Sequence, residues 1–287
     1  MQKQTNIKKV FRLNELGFKG CVDFGYYHYS SVEPVLETHS HKEVMEICFC
    51  LKGQQYYQIE NHLFKLTGNS ILIVPPNVKH SSGVNPEDIG ELFWLQIVLP
   101  KKSNLCNLTN DQSDYLFNEL LKKGNTLYKG AFSLKHILKR IVETLEKSKN
   151  IINELYINQL LIQLLLETYF LTKEPERIIN PERLNIINDF IAKNIHRTIY
   201  VDELATLINI STAYFKFWFK HNIGIPPKMY INRLKIEQAK IDLPQRKTIT
   251  IVAFELGFSS SQYFTTIFKK HTGFTPKAYI TSMIEKQ

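Results

Sequence analysis

A length of 287 residues leaves room for two domains with sizeable cores, and the formal charge of +9 is unevenly placed along them. From Pro181 onward 15 Lys+Arg stand against 8 Asp+Glu, whereas the first 180 residues hold 21 against 19. A basic C-terminal third beside a near-neutral remainder points to a nucleic-acid module joined to something else, with ordinary solubility charge as the plainer alternative. The longest apolar run, Leu160 to Leu171, is interrupted by Gln163, Glu167 and Thr168, which excludes a transmembrane span.

Met1 to Lys9 is polar and basic with no apolar run behind it, so no signal peptide is expected. The four cysteines, Cys21, Cys48, Cys50 and Cys106, show no CxxC spacing. Cys48 and Cys50 are too close for an unstrained mutual disulfide, and reduced thiols in a cytoplasmic protein fit the pattern.

Taken in order, residues 1 to about 20 read as a polar, basic arm, either disordered or folded over a pocket. From about 20 to 100 the signal is β. The strands expected are Val22–Tyr29, Val44–Leu51, Gln54–Ile59, His62–Lys65, Ser70–Val74 and Leu92–Val98. Turn chemistry separates them at Lys52-Gly53, Glu60-Asn61, Thr67-Gly68-Asn69, Pro75-Pro76-Asn77 and Asn85-Pro86. Many short strands with regular breaks predict a small barrel or sandwich.

Helices are expected over Asp111–Lys123, Ser133–Lys147 and Ile151–Leu171, from apolar residues at i, i+3 and i+4. The last carries more leucine and isoleucine than one barrel can cover, so a homodimer joined through these helices is expected, with packing on the chain's own barrel as the alternative. Residues 173–180 are charged and contain proline, as an interdomain linker does. Pro181 then opens a helix at its first position.

The C-terminal third holds one pattern twice. Val201–Asn209 is followed by Ile210-Ser211 and a helix from Thr212 to Asn222. Ile251, Val252, Leu256 and Phe258 are followed by a helix carrying Phe264, Ile267 and Phe268. Asn209 falls where Gly257 falls, and both residues suit a left-handed turn. Ser259 or Ser260 caps the last helix, and Thr250 is placed to cap the one before it. Two short helices joined by such a turn describe a helix-turn-helix whose second helix enters the major groove.

The run A-F-E-L-G-F-S-S-S-Q-Y-F-T-T-I-F-K-K-H-T-G-F-T-P-K-A-Y, from Ala253 to Tyr279, resembles the DNA-binding domain of AraC/XylS-type bacterial transcription regulators. Ile280 stands where that family usually has Arg, and Tyr200 where a capping Ser or Thr is usual. The resemblance implies a protein of α+β class with two domains. Residues 1–172 would form a cupin-like effector-binding and dimerisation domain (barrel 20–100, helices 110–171). Residues 173–180 would be the linker, and 181–287 a DNA-binding domain with helix-turn-helix units at 201–222 and 250–272.

Carried over from the family's motif positions, Ala213, Lys216 and Phe217 in the first recognition helix and Ser261, Gln262 and Thr266 in the second face base edges. Lys216 suits guanine, Gln262 adenine and Phe217 a thymine methyl. One of Phe217 and Trp218 is expected in the core. Lys220, Lys247, Lys269 and Lys270 are better placed for phosphates, a solvated face being the alternative. The helix Pro227–Leu243, ended by Pro244, spans about 25 Å. It would hold the two recognition helices in successive major-groove segments about 34 Å apart.

His39, His41, Glu46 and His80, with Gly53, Gly68 and Pro75 to His80, resemble a cupin barrel. The set has a metal-ligand spacing suited to Fe, Mn, Ni or Zn. Three readings stay open: contacts to a small effector, structural hydrogen bonds, and metal ligation. Effector contact is preferred over metal, since in regulator barrels of this family such residues more often hold a small ligand, and Asn77, where metal-binding cupins prefer glycine, lowers the metal reading slightly further.

Tyr57 and Trp94, from an aromatic set with Phe24, Tyr26, Tyr27, Tyr29, Tyr56 and Phe93, complete the expected effector site. A carbohydrate is favoured by the family resemblance. The expectation is a cytoplasmic regulator, an activator by family tendency, with no enzymatic activity, no cofactor and no membrane partner. It would engage double-stranded promoter DNA and RNA polymerase. The rivals are a metal-dependent cupin enzyme fused to a DNA-binding domain, and a regulator controlled by a protein partner.

Overall fold

The computed structural model describes residues 6–101, 103–173, 181–245 and 248–284. The chain divides into two compact units, Met1–Tyr29 with Val35–Arg177 and Ser30–Pro34 with Ile178–Gln287. Residues 1–5 of the arm, residues 174–180 of the expected linker and Lys247 lie outside the described residues.

The first unit is built on strands β1 (Ile7–Arg12), β2 (Cys21–Tyr29), β3 (Glu33–Val35), β4 (Val44–Ile59), β5 (His62–Thr67), β6 (Ser70–Val74), β7 (His80–Ser81), β8 (Pro86–Glu87), β9 (Gly90–Val98) and β10 (Leu127–Lys129). The main sheet runs β1-β2-β9-β4-β6-β10, with β5 and β7 also paired to β4. A barrel was expected. The pairing among the described residues is instead an open path, with no ladder joining β10 back to β1.

Both faces of this sheet are covered, and strand parity divides the work. Met45, Ile47, Phe49, Ile71, Ile73, Phe93, Leu95 and Ile97 pack with buried residues of α1 (Asn110–Leu121), α2 (Phe132–Leu145) and α3 (Ile151–Leu171). Their neighbours Cys48, Cys50, Leu72, Val74 and Leu92 point the other way, into a second cluster with Tyr27, Tyr29 and Tyr57.

The expected turn at Lys52-Gly53 does not exist. β4 runs unbroken from Val44 to Ile59, with a register irregularity between Cys50 and Lys52 where it pairs with β9. Gly53 has φ +82°, and a Cβ there would stand 2.0 Å from the Ile89 carbonyl oxygen. Glycine chemistry read as a reversal is therefore a bulge that bends one strand. The bulge also changes parity: even-numbered Cys48 and Cys50 before it share a cluster with odd-numbered Tyr57 and Ile59 after it. The polar arm holds a strand as well, since β1 pairs with β2 over Ile7–Arg12.

The second unit is helical: α4 (Pro181–Lys193), α5 (Val201–Leu207), α6 (Thr212–Ile223), α7 (Pro227–Asp242), α8 (Ile249–Glu255), α9 (Ser261–Thr272) and α10 (Pro276–Ile284). The repeat seen in sequence is structural. Asn209 (φ +54°) and Gly257 (φ +62°) make the two left-handed turns. Ser211 accepts from the Tyr214 N–H at 3.3 Å, and Ser260 from the Tyr263 N–H at 3.1 Å. Gly224 and Gly273 end α6 and α9 in the left-handed region.

The cap of α8 is Thr248, whose hydroxyl accepts from the Ile251 N–H at 3.2 Å, and not Thr250, which lies inside the helix. At Tyr200 the missing side-chain cap is offset by Glu203, which accepts from the Tyr200 N–H at 2.8 Å. Phe215 and Phe219 anchor one core, Phe264 and Phe268 the other. α7 serves both: Ile231 packs in the first core, and Ile236 and Ala239 in the second.

Candidate functional site

The helix-turn-helix surface follows from these cores. With Phe215 and Phe219 inward, Ala213, Lys216, Phe217 and Lys220 form an exposed stripe on α6, and Phe217 is 67% exposed. Trp218 is the member of the aromatic pair that packs on the core. On α9, Phe264 and Phe268 point inward, while Gln262, Thr266 and Lys269 are exposed and Ser261 and Lys270 half-buried. The Thr266 hydroxyl donates to the Gln262 carbonyl at 3.0 Å, so it keeps an acceptor free on its outer side.

The second candidate site lies inside the first unit. A cavity of about 110 Å³ is lined by His39, His41, Glu46, Tyr57, Trp94 and Gln96, together with Lys8, Tyr27 and Glu87. His39 sits in an isolated bridge with His80, each N–H donating to the other's carbonyl at 3.0 and 2.9 Å. His41 is fixed by Asn77, whose N–H donates to the His41 carbonyl at 2.9 Å and whose side chain accepts from the Glu43 N–H at 3.0 Å. Asn77 achieves this at φ +66°. β4 supplies Glu46 and, beyond its bulge, Tyr57; β9 supplies Trp94 and Gln96 on one face.

Glu46 is buried, and its oxygens meet four side chains. Gln96 Nε2 donates to Oε2 at 2.8 Å, His41 Nε2 stands 3.3 Å from Oε2, His80 Nε2 3.7 Å from Oε1, and the Cys48 thiol donates to Oε1 at 3.2 Å. Burial opposes its charge, but the hydrogen bond with His41, the nearby His80 and the Gln96 amide bring the carboxyl down to about 2. Burial pushes the His80 imidazole below its ordinary value, against the pull of Glu46.

The effector residues expected from sequence thus converge, with His80 lining an adjoining cavity beside Ser81 and Gly83. Sequence reasoning missed Lys8, Glu87 and Gln96. Lys8 lay in the arm that showed no strand signal, and its ammonium reaches Glu87 at 3.1 Å. Gln96 alternates with Trp94 on β9, a parity that could have marked it.

The family model of the AraC-like ligand binding domain matches residues 24–165, and that of a helix-turn-helix domain matches residues 204–282. An uncharacterized HTH-type transcriptional regulator of Staphylococcus aureus (strain MSSA476) is 26% identical over 238 residues, covering 81% of this chain and 31% of that protein. The chain therefore spans about a third of the length of the curated relatives first matched. The HTH-type regulator YobQ of Bacillus subtilis is 35% identical over 91 residues, 31% of this chain and 38% of that protein. A solved C-terminal domain of the response regulator yesN from Fusobacterium nucleatum is 30% identical with a TM-score of 0.33, covering 36% of this chain and 99% of that one. With an AraC-like ligand binding domain ahead of a helix-turn-helix domain, the chain belongs to the AraC family of transcription regulators.

Proposed function

We propose that this protein is a sequence-specific transcription regulator whose cupin-like N-terminal unit (residues 1–172) senses a small molecule and whose residues 181–287 bind promoter DNA. The observation that carries the reading is the pair of exposed stripes, Ala213-Lys216-Phe217 on α6 and Gln262-Thr266 on α9, each presented from a capped helix on a phenylalanine core. These residues, with Ser261, read base edges. Lys220, Lys269 and Lys270 hold phosphates, as does Lys247.

The effector occupies the cavity of His39, His41, Glu46, Tyr57 and Trp94. About 110 Å³ favours a compact polar ligand, a monosaccharide at the upper end, since sites for drug-sized ligands run to roughly 300–1,000 Å³. Binding acts by favouring one arrangement of sensor and DNA-binding domain over another, here in the sense of activation through RNA polymerase.

A homodimer forms through α3. Its inner face is buried in the sheet core, while Ile151, Leu155, Leu166 and Phe170 are exposed on the other side, too many for a lone surface helix.

Selection of the full-length protein against a random duplex library tests the DNA reading. The expected outcome is an enriched motif with two read segments about one helical turn apart. Recovery of unenriched sequence with salt-sensitive binding only would refute it.

A further inference from the structure

We propose that Cys21 and Cys106 form a reversible intrachain disulfide when the protein meets a hydroperoxide, and that this bond locks the first unit. All four cysteines are free and buried, and of them this pair is the one placed to bridge.

The two sulfurs come from segments 85 positions apart and stand 3.5 Å from one another. A disulfide needs them at about 2.0 Å, so a closure of about 1.5 Å, within reach of side-chain rotation, completes it. The backbones beside the pair are already joined. The Cys106 N–H donates to the Lys19 carbonyl at 2.9 Å, and the Val98 N–H to the Gly20 carbonyl at 2.9 Å. Gly20, at φ +72°, lies so close that a Cβ there would stand 2.6 Å from the Asn104 carbonyl oxygen.

The other two thiols are differently placed. Cys48 donates to Glu46 Oε1 at 3.2 Å and Cys50 to the Lys52 carbonyl at 3.7 Å. They stand two positions apart on one strand, a spacing that a disulfide does not span without strain. Cys21 and Cys106 are instead hydrogen-bonded to each other.

The two members of the pair differ in access. Cys21 lies within β2, and its hydrogen bond with Cys106, followed by burial, pushes its thiol well above the ordinary value. It keeps its proton and is slow toward an oxidant. Cys106 lies between β9 and α1, in a stretch with no helix or strand among its described residues, and exposed Asn107 follows it. Opening such a stretch costs less than opening the sheet, so Cys106 meets the peroxide first.

The chemistry balances with the hydroperoxide alone. The Cys106 sulfur attacks one peroxide oxygen, the O–O bond breaks, and the leaving oxygen departs with the Cys106 proton as alcohol or water. The Cys21 sulfur then attacks the resulting sulfenic acid, whose S–O bond breaks, and hydroxide leaves with the Cys21 proton as water. Each sulfur loses one electron, and the peroxide takes up both.

The bond would close a loop that carries every residue lining the cavity except Lys8. Closing so long a loop restricts the unfolded chain and so stabilises the unit, whatever the cavity binds.

The test uses the full-length protein, reduced, desalted and incubated with hydrogen peroxide. After acid quenching, unfolding and alkylation, the alkylated thiols should fall from four to two. Proteolysis and mass spectrometry should find Cys21 and Cys106 in one cross-linked peptide pair, and dithiothreitol should restore all the thiols. The thermal midpoint of the oxidised protein should rise by at least about 4 °C and return on reduction. Cys21→Ser and Cys106→Ser proteins with unchanged circular dichroism should show neither the cross-link nor the shift.

A full set of alkylated thiols after peroxide overturns the proposal. So does a bond that joins Cys48 to Cys50 or links two chains, or a Cys106 oxidised to sulfinic acid beside a free Cys21. A Cys21–Cys106 bond that leaves the midpoint unchanged refutes the lock.

Discussion

Gly257, the turn residue of the second helix pair, lies directly on the backbone of Arg197, which precedes the first: a Cβ on Gly257 would stand 2.3 Å from the Arg197 carbonyl carbon. Lys235 of α7 joins the same two residues, its Nζ donating to the Arg197 carbonyl at 2.8 Å and to the Gly257 carbonyl at 3.3 Å. Burial, with the Arg197 charge added, brings that ammonium down to about 8. The two helix pairs therefore share a seam in addition to the helix between them.

Replacing Gly257 by alanine tests the seam. The left-handed φ costs about 1–2 kcal/mol and the forced contact about 1–3 kcal/mol more. Gly257→Ala should therefore lower stability by about 2–5 kcal/mol, read as a drop in the chemical-denaturation midpoint. Asn209→Ala in the other turn meets the φ cost alone and should lose less.

The helical unit should also be sensitive to acid. His271 is buried, and burial, followed by the charges of Arg233, Lys270 and Lys240, brings its imidazole down to about 3. Its unfolded value is about 6.5, so the unfolded chain takes the proton first. The stability present above about pH 6.5 is lost as pH falls toward about 3, by up to about 1.4 kcal/mol per pH unit. Denaturation midpoints taken from pH 7 to pH 4 should fall in the wild type and fall less in His271→Gln.

On DNA, Gln262 and Lys269 should behave differently. Gln262→Ala should relax preference at one base pair by about 1–3 kcal/mol. Lys269→Ala should weaken binding to all sequences and reduce the salt slope by about one. Anisotropy titrations on selected and scrambled duplexes distinguish them, and equal losses on both duplexes for both variants would contradict the assignment.

The exposed face of α3 gives a fourth test in solution. Leu155→Glu with Leu166→Glu places charge on a surface already facing solvent in the isolated chain, where both residues are exposed. Sedimentation should show the wild type as a dimer and the double variant as a folded monomer. A wild type that sediments as a monomer at micromolar concentration rules out the α3 interface.

What the sequence made legible was local. The bounds of α3 and the doubled helix pair could be read directly, because caps such as Ser211 and Ser260 and turn residues such as Asn209 act within a few positions of themselves. Local chemistry also misled. Thr248 and Thr250 are equal candidates for a cap until the helix start is known, and Lys52-Gly53 has the composition of a reversal but the geometry of a bulge. The histidines and Glu46 were visible through their spacing. Lys8, Glu87 and Gln96 were not, because their place in the cavity depends on which strand lies beside which.

The bulge in β4 makes the cavity intolerant of a change in length. Glu46 and Tyr57 reach the same space only because one irregularity separates them, since a strand in regular register would send two residues eleven positions apart to opposite faces. Loss of a single codon between them, wherever the bulge persists, would leave every remaining amino acid chemically intact yet turn the tyrosine and its alternate neighbours inside out. Deletion scanning along that strand should therefore abolish sensing at positions where substitution scanning finds little effect.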